Sequence, residues 1–354
     1  MFEISLCMIV KDEELVIERL LKCAKQFADE IIIVDTGSKD RTKEICFQYT
    51  NFVYDFLWCN DFSKARNFSF SKATKPYIMW LDADDFITQE NIEKILQLKN
   101  TSNPADAYMF KYVLGNSKEN SFEFFRERLL KKSKNYTWSG FVHEAISLSG
   151  KIEYLDIEIE HRKLKENPRE RNLKIYRMAI KNGIKFSPRE RYYYSRELYF
   201  NGYFKKAICE LKKYLKSSDT YTPNIIDAHI ILSKIYIQLN DNKNALDTIF
   251  SSIKKFVPNA QTCCLTAQIY EKMKDINLCI FWYNCALIAP AQKQGFIQKD
   301  YENFIPYMEL SRLYYNLDFS ESKKYYLLAK SLKPTHKSVI YNSRFFWIIL
   351  TNTL

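Results

Sequence analysis

The chain has 354 residues, a formal net charge of +11 and only 7 glycines, about 2% of the total, where soluble proteins average roughly 7%. No G-x-G occurs and no two glycines stand five apart, which excludes a glycine-cradled dinucleotide or P-loop site, collagen-like repeats and glycine-rich linkers. With 47% hydrophobic and 16% aromatic residues the chain is a folded protein, and no basic run exceeds three residues, so its charge reads as a lysine-rich composition rather than a nucleic-acid footprint.

Residues 4–10 (Ile-Ser-Leu-Cys-Met-Ile-Val) predict a short apolar strand. Residues 15–27 carry helical spacing at Leu15, Leu20, Cys23 and Phe27, and 31–34 are a β-branched run. A helix opened by Asp40 covers 40–49, alternation marks 52–57, a helix covers 63–73, and an apolar strand covers 77–81. Strand-like stretches return near 106–113, 122–130 and 152–160. This alternation predicts a parallel sheet with helices on both faces, and ligands on such sheets sit beyond the carboxyl ends of the strands.

From about 165 the pattern is helical and it repeats. Small residues at 195, 233, 267 and 311 precede a second set at 207, 245, 279 and 322, and the second set is spaced 34 to 43 residues apart. Tyr214, Ser252, Ala286 and Ala329 stand seven further on, and Pro258, Pro290 and Pro334 close three of the units. This is the signature of tetratricopeptide-like helical hairpins, with a long insertion near 291–306 in the third. The expected division is an α/β domain at 1–163 and an all-α repeat domain at 164–354.

Nine scattered cysteines without a C-x-x-C read as free thiols in a reducing, cytoplasmic compartment. The N-terminal apolar run is about seven residues, and 345–350 is also too short to span a bilayer, so no transmembrane segment is expected.

The chemistry concentrates at the strand ends. Asp35 ends the run 31–34, Asp82-Ala83-Asp84-Asp85 follows the strand 77–81, and Lys11-Asp12-Glu13-Glu14 follows the first strand. With Asp61 after the stretch 52–57, four acidic strand ends at one rim require a cation or a donor-rich ligand. In an extended segment Asp82 and Asp84 would point the same way, and two such carboxylates suit hard Mn²⁺ or Mg²⁺. A strand-end carboxylate at Asp35 can accept from a base N–H or a ribose hydroxyl. Arg66, at the start of a helix, can pair with a rim carboxylate or a pyrophosphate. In the run from Trp138 to Glu144, Trp138 can offer an apolar platform to a sugar, His143 a metal ligand and Glu144 a general base. His161, His229 and His336 read as surface or helix residues. Gly37 and Gly140 lie within these motifs, so substitution there is expected to cost more than a matched change at Gly150.

The runs at 5–14, 33–42 (I-V-D-T-G-S-K-D-R-T), 61–67 (D-F-S-K-A-R-N) and 81–85 (L-D-A-D-D), with W-x-G-x-V-H-E at 138–144, resemble family 2 glycosyltransferases of the GT-A fold. The resemblance covers about residues 3–160. Joined to tetratricopeptide-like helices, it is similar to bacterial peptide S-glycosyltransferases; Asp12 stands where that subgroup usually has Asn. The resemblance implies a mixed Rossmann-like sheet and metal-dependent, inverting transfer of a sugar from a nucleotide diphosphate such as a UDP-sugar. It implies that Asp35 binds the base, Asp82 the ribose, Asp84 and His143 the metal, and that Lys11, Arg66 and Trp138 complete the nucleotide-sugar site. Glu144 is the first choice of base and Glu127 the reserve. The implied acceptor is a peptide or protein held by the repeats, the alternative a polysaccharide or lipid-linked acceptor, and the third reading a repeat scaffold with an inactive first domain. A homodimer is a further expectation, nucleic-acid binding is not.

Overall fold

The computed structural model describes residues 1–114, 122–162, 164, 170–219, 221–291 and 298–351. The chain divides into two compact units, Met1–Glu197 and Leu198–Leu354. The first unit opens with β1 (Ile4–Val10), α1 (Ile17–Ala24), β2 (Glu30–Asp35), α2 (Thr42–Phe47), β3 (Val53–Asp55), α3 (Phe62–Lys72) and β4 (Tyr77–Trp80). It continues with β5 (Asp85–Phe86), α4 (Gln89–Lys99), β6 (Ala107–Leu114), β7 (Phe122–Lys131), β8 (Trp138–Ser139), β9 (Ala145–Ile146), β10 (Ile152–His161), α5 (Arg171–Lys181) and α6 (Pro188–Phe200), whose last three residues fall in the second unit.

One sheet has the order β3-β2-β1-β4-β7-β6-β10-β5, and β8 pairs with β9 in a small second sheet. The first four strands are mutually parallel, as the strand–helix alternation predicts. The sheet as a whole is mixed, because β7 runs antiparallel to both β4 and β6 and β5 runs antiparallel to β10. Strand β7 enters beside β4 with Met79 opposite Leu129. That register is decisive for the site.

Alternation sorts the side chains of these strands onto two faces. Ile4, Leu6, Met8, Val10, Ile31, Ile33, Tyr77 and Met79 join one core, with Ile17, Leu20, Leu21 and Ala24 of α1 and Ile92 and Ile95 of α4. Cys7, Ile32, Ile78 and Trp80 join the other, with Phe70 of α3 and Trp138 of β8. Both faces are covered, which is why these strands are continuous apolar runs. Helix α3 begins where Asp61 accepts from the Lys64 amide at 3.2 Å, an N-cap. A domain boundary was expected at 163/164; the packing division comes after Glu197, so α5 and most of α6 belong to the compact unit of the sheet.

The second unit consists of α7 (Phe204–Leu215), α8 (Thr222–Gln238), α9 (Asn242–Ile253), α10 (Ala260–Lys272), α11 (Ile276–Ile288), α12 (Phe304–Tyr314), α13 (Phe319–Leu332) and α14 (Lys337–Thr351). Helices α8 and α9, α10 and α11, and α12 and α13 pack as pairs. The predicted small positions are the crossings: Ser233, Ala267, Ser311, Ala245, Cys279 and Ser322 are all buried. The Ser233 hydroxyl donates to the Ala245 carbonyl at 3.0 Å and Ser322 to that of Ser311 at 2.7 Å, so close approach leaves few polar atoms unpaired. The second helix of each pair starts on an aspartate cap, Asp241, Asp275 or Asp318. Part of the predicted insertion, 292–297, lies outside the described residues. No helix among the described residues is long and apolar enough to cross a membrane.

Gly150, the comparison position for Gly37 and Gly140, has φ +86°, and a Cβ added there would run into the Asp106 carboxylate, so a side chain at this position is itself strained. All nine cysteines are free; Cys59 and Cys209 are exposed, Cys23 and Cys285 half-buried, and Cys7, Cys46, Cys263, Cys264 and Cys279 buried. Burial pushes Cys46, Cys263 and Cys279 up to about 12, and only the thiolate is reactive. Titration of the native protein with a thiol reagent at neutral pH should therefore label Cys59 and Cys209 fast and Cys23 and Cys285 slowly, with the remaining five reacting only after denaturation; mass spectrometry of the labelled peptides checks this.

Candidate active site

The ends of β1 and β2 are sewn together by their following loops. Asp12, at φ +55°, accepts from the Lys39 amide at 2.7 Å while its own N–H donates to Ser38 Oγ at 2.9 Å. Left-handed backbone is best tolerated by Asn and Asp, so an aspartate serves at this position. Asp35 is 3% exposed at the end of β2. Its Oδ1 accepts from the Gly37 and Ser38 amides, both at 2.9 Å, and its Oδ2 is buried without a hydrogen-bond partner. A buried carboxylate oxygen left unpaired is costly, and a ligand N–H or hydroxyl would satisfy it. Lys11 is exposed at the same end of β1.

Alternation along β4 carries Trp80 and then Asp82 to the face of α3, where Arg66 meets them. The Arg66 guanidinium donates to Asp82 Oδ1 at 2.8 Å and to Glu144 Oε1 at 2.6 Å. It lies over the rings of Trp80 and Trp138, 4.7 and 4.9 Å from their centroids. Burial would raise the Asp82 carboxyl, but the charge and hydrogen bond of Arg66, with Arg128 and Arg126 behind it, hold it down to about 2. Trp138 is 3% exposed. It is packed edge-on against Trp80 and Phe70 and supports Arg66 from below, so it does not offer an open platform to a sugar.

Asp84 does not follow Asp82. The chain turns at 82–85, with the Asp85 amide donating to the Asp82 carbonyl at 3.0 Å, so the expected extended alternation is broken there. Asp84 Oδ1 lies 3.3 Å from His161 Nδ1, at the end of β10. Beside them Asp85 is fully buried. Its Oδ2 accepts from the Asp82 amide and from Arg128 Nη1, both at 3.0 Å, and its Oδ1 accepts from the Tyr112 hydroxyl at 2.9 Å. Arg128 is 0% exposed. It is sandwiched between Trp80 and Tyr112, 3.8 and 4.4 Å from their centroids, and also donates to the Trp80 carbonyl at 3.2 Å.

Asp84, Asp85 and His161 offer ligand atoms within 4.8 Å of one another, and they are the group among the described residues able to hold a metal ion. Carboxylate with imidazole is a donor set suited to Mn²⁺ and, through its oxygens, to Mg²⁺. Burial opposes a charged His161, but hydrogen bonds to Asp84 and Asp85 and their charge outweigh it and push the imidazole up to about 9.

The structure thus brings Arg66, Asp82, Glu144 and Trp138 into one cluster, sets Asp84 in a second, and places Asp35 and Lys11 on the neighbouring strand ends. It does not bring His143 to Asp84. His143 stacks on Tyr193, centroids 4.4 Å apart, and its Nε2 lies 3.0 Å from Glu197 Oε1. The histidine that meets Asp84 is His161, a strand residue and not the surface or helix residue its sequence context suggested. Of the rim acids, Asp82 and Asp85 are paired with the chain's own arginines, Arg66 and Arg128. Arg128 and Tyr112 were missed; the available signal was an arginine followed directly by Leu129 and Leu130 in a strand, a buried charge that must be paired.

Residues 5–148 match the profile of Glycosyl transferase family 2. They are a family 2 glycosyltransferase domain. The chain is 31% identical over 147 residues to a TPR repeat-containing protein of Synechococcus elongatus, covering 41% of this chain and 36% of that protein. It is 25% identical over 258 residues to the prophage-derived glycosyltransferase SunS of Bacillus subtilis, covering 66% of this chain and 58% of that protein. The matches thus span between about a third and three-fifths of these relatives.

Within the transferase domain the Arg128–Asp85 pair gives a direct test of the site's frame. Removing one partner of a buried pair leaves an uncompensated charge and costs about 3–5 kcal/mol. Asp85→Asn and Arg128→Met should each destabilise the domain by that order, and the double variant by clearly less than the sum; urea denaturation of the three variants measures it.

Proposed function

We propose that the chain is a metal-dependent glycosyltransferase that moves a sugar from a nucleotide-diphosphate donor, a UDP-sugar, to a peptide or protein acceptor with inversion. The observation that carries this reading is the unpaired, buried Asp35 Oδ2 on the same rim as Asp82 and Asp84, within a family 2 domain. Asp35 receives a donor N–H or hydroxyl from the nucleoside. Asp82, held ionised by Arg66, accepts from a ribose hydroxyl. Lys11 and the Arg66 guanidinium face the negative charge of the diphosphate, and Trp138 keeps Arg66 in place.

Asp84 and His161 are the residues that would hold Mn²⁺ or Mg²⁺; His143 is placed elsewhere. The bound ion supplies charge neutralisation on the departing nucleoside diphosphate. In the transfer the acceptor atom forms its bond to the anomeric carbon from the face opposite the diphosphate, and the bond to the diphosphate oxygen breaks. Glu144 is the carboxylate proposed to take the acceptor's proton, with Glu127 the reserve. The helical hairpins suit an extended chain as acceptor, since such repeats build elongated binding surfaces.

Calorimetry with a panel of UDP-sugars and added Mn²⁺ tests the donor, and UDP release measures turnover. Binding and turnover should require the metal, Asp84→Ala should abolish turnover, and Asp35→Ala should weaken UDP binding about tenfold or more, the loss of one hydrogen bond to a charged group. Full turnover by Asp84→Ala in chelator would sink the metal assignment.

A further inference from the structure

One face of α6 converges on a single residue of the transferase domain. Arg189, Tyr193 and Glu197 are spaced four apart, so they line one stripe of the helix. Tyr193 stacks on the His143 ring at an interplanar angle of 19°. Glu197 Oε1 lies 3.0 Å from His143 Nε2 and also accepts from Asn172 Nδ2 at 3.0 Å. Arg189 donates to the His143 carbonyl at 3.1 Å while its guanidinium lies 4.8 Å from the Tyr193 ring centroid. Ring, side-chain nitrogen and backbone carbonyl of His143 are all held from one helix.

What is held is an unusual backbone. His143 has φ +55°, a left-handed conformation that side chains disfavour, and Gly140, three residues before it, has φ +102°. Such a conformation persists where surrounding contacts enforce it. Glu144 follows directly, and its Oε1 receives Arg66 Nε at 2.6 Å. The direction in which the chain leaves His143 therefore sets where the Glu144 carboxylate lies.

We propose that Arg189, Tyr193 and Glu197 form a positioning device: they hold His143 in its left-handed turn and so place the carboxylate of Glu144 against Arg66. The helices after the sheet then complete the transferase site and do more than precede the repeats. The catalytic half of this proposal rests on the reading of Glu144 as proton acceptor; the structural half does not.

The test uses the full-length chain with Glu197→Ala, Tyr193→Ala and Tyr193→Phe. Two measurements are made: amide hydrogen exchange over 139–146, and kcat and KM for Mn²⁺-dependent hydrolysis of UDP-glucose and UDP-N-acetylglucosamine. Both alanine variants should speed exchange at 141–146 about tenfold or more. They should lower kcat by a similar factor with KM nearly unchanged, the signature of a lost transition-state contribution. Tyr193→Phe keeps the ring stack and should restore both. Mn²⁺ binding measured with the metal alone should not change. Unaltered exchange in Glu197→Ala, which removes the contacts of its carboxylate to His143 and Asn172, overturns the pin. Faster exchange with unaltered kcat overturns the catalytic half. If the wild type turns over neither sugar nucleotide, the choice of donor or the transfer reading has failed, and the exchange data still decide the pin.

Discussion

The frame of the site hangs on one ion pair out of reach of water. Arg128 and Asp85 are both fully buried, and burying two charges is repaid only when geometry and further hydrogen bonds are good. Here they are, on the carboxylate side. Asp85 accepts from Arg128, the Tyr112 hydroxyl and the Asp82 amide, and Arg128 also holds the last carbonyl of β4 between two aromatic rings. Strands β4, β6 and β7 are thereby tied at one point, and His161 of β10 is drawn to the same hydroxyl at 3.0 Å. The turn that carries Asp82 and Asp84 is thereby anchored through the Asp85 carboxylate and the Asp82 amide.

A second constraint follows from the two-residue period of β4. Trp80 and Asp82 emerge on the face of α3, where Arg66, Arg126 and Arg128 all lie within 5 Å of the Trp80 ring centroid. Three guanidiniums around one indole would repel each other unless each had an acid. Arg66 has Asp82 and Glu144, Arg126 has Glu127, and Arg128 has Asp85. Each of these arginines is thus paired with at least one acid, whereas Asp35 Oδ2, buried at the end of β2, has no hydrogen-bond partner and is where a ligand donor would be accepted.

The periodicities were legible because they are local. The apolar run 4–10 became β1 with the same bounds, and the small residues of the repeat became buried helix crossings, since a close helix contact tolerates no large side chain. Asp35, Arg66, Asp82 and Glu144 could be singled out in the sequence because each lies at the end of a strand, near the start of a helix or in a short motif run. Trp138, expected as an open platform, is instead buried beside Arg66, because sequence context does not say which face of a tryptophan its neighbours cover.

Element type, the helical repeat and the family signature follow from the order of residues alone, because propensity, spacing and short motifs act over a few positions. The insertion of antiparallel β7 between β4 and β6, the meeting of Arg128 with Asp85, and the pairing of Asp84 with His161 instead of His143 were decided by tertiary structure. Each joins residues 43 or more positions apart or depends on a turn of two or three residues that reverses a side chain's direction. Strand register and backbone handedness set those meetings, and neither is written in any one segment of the chain.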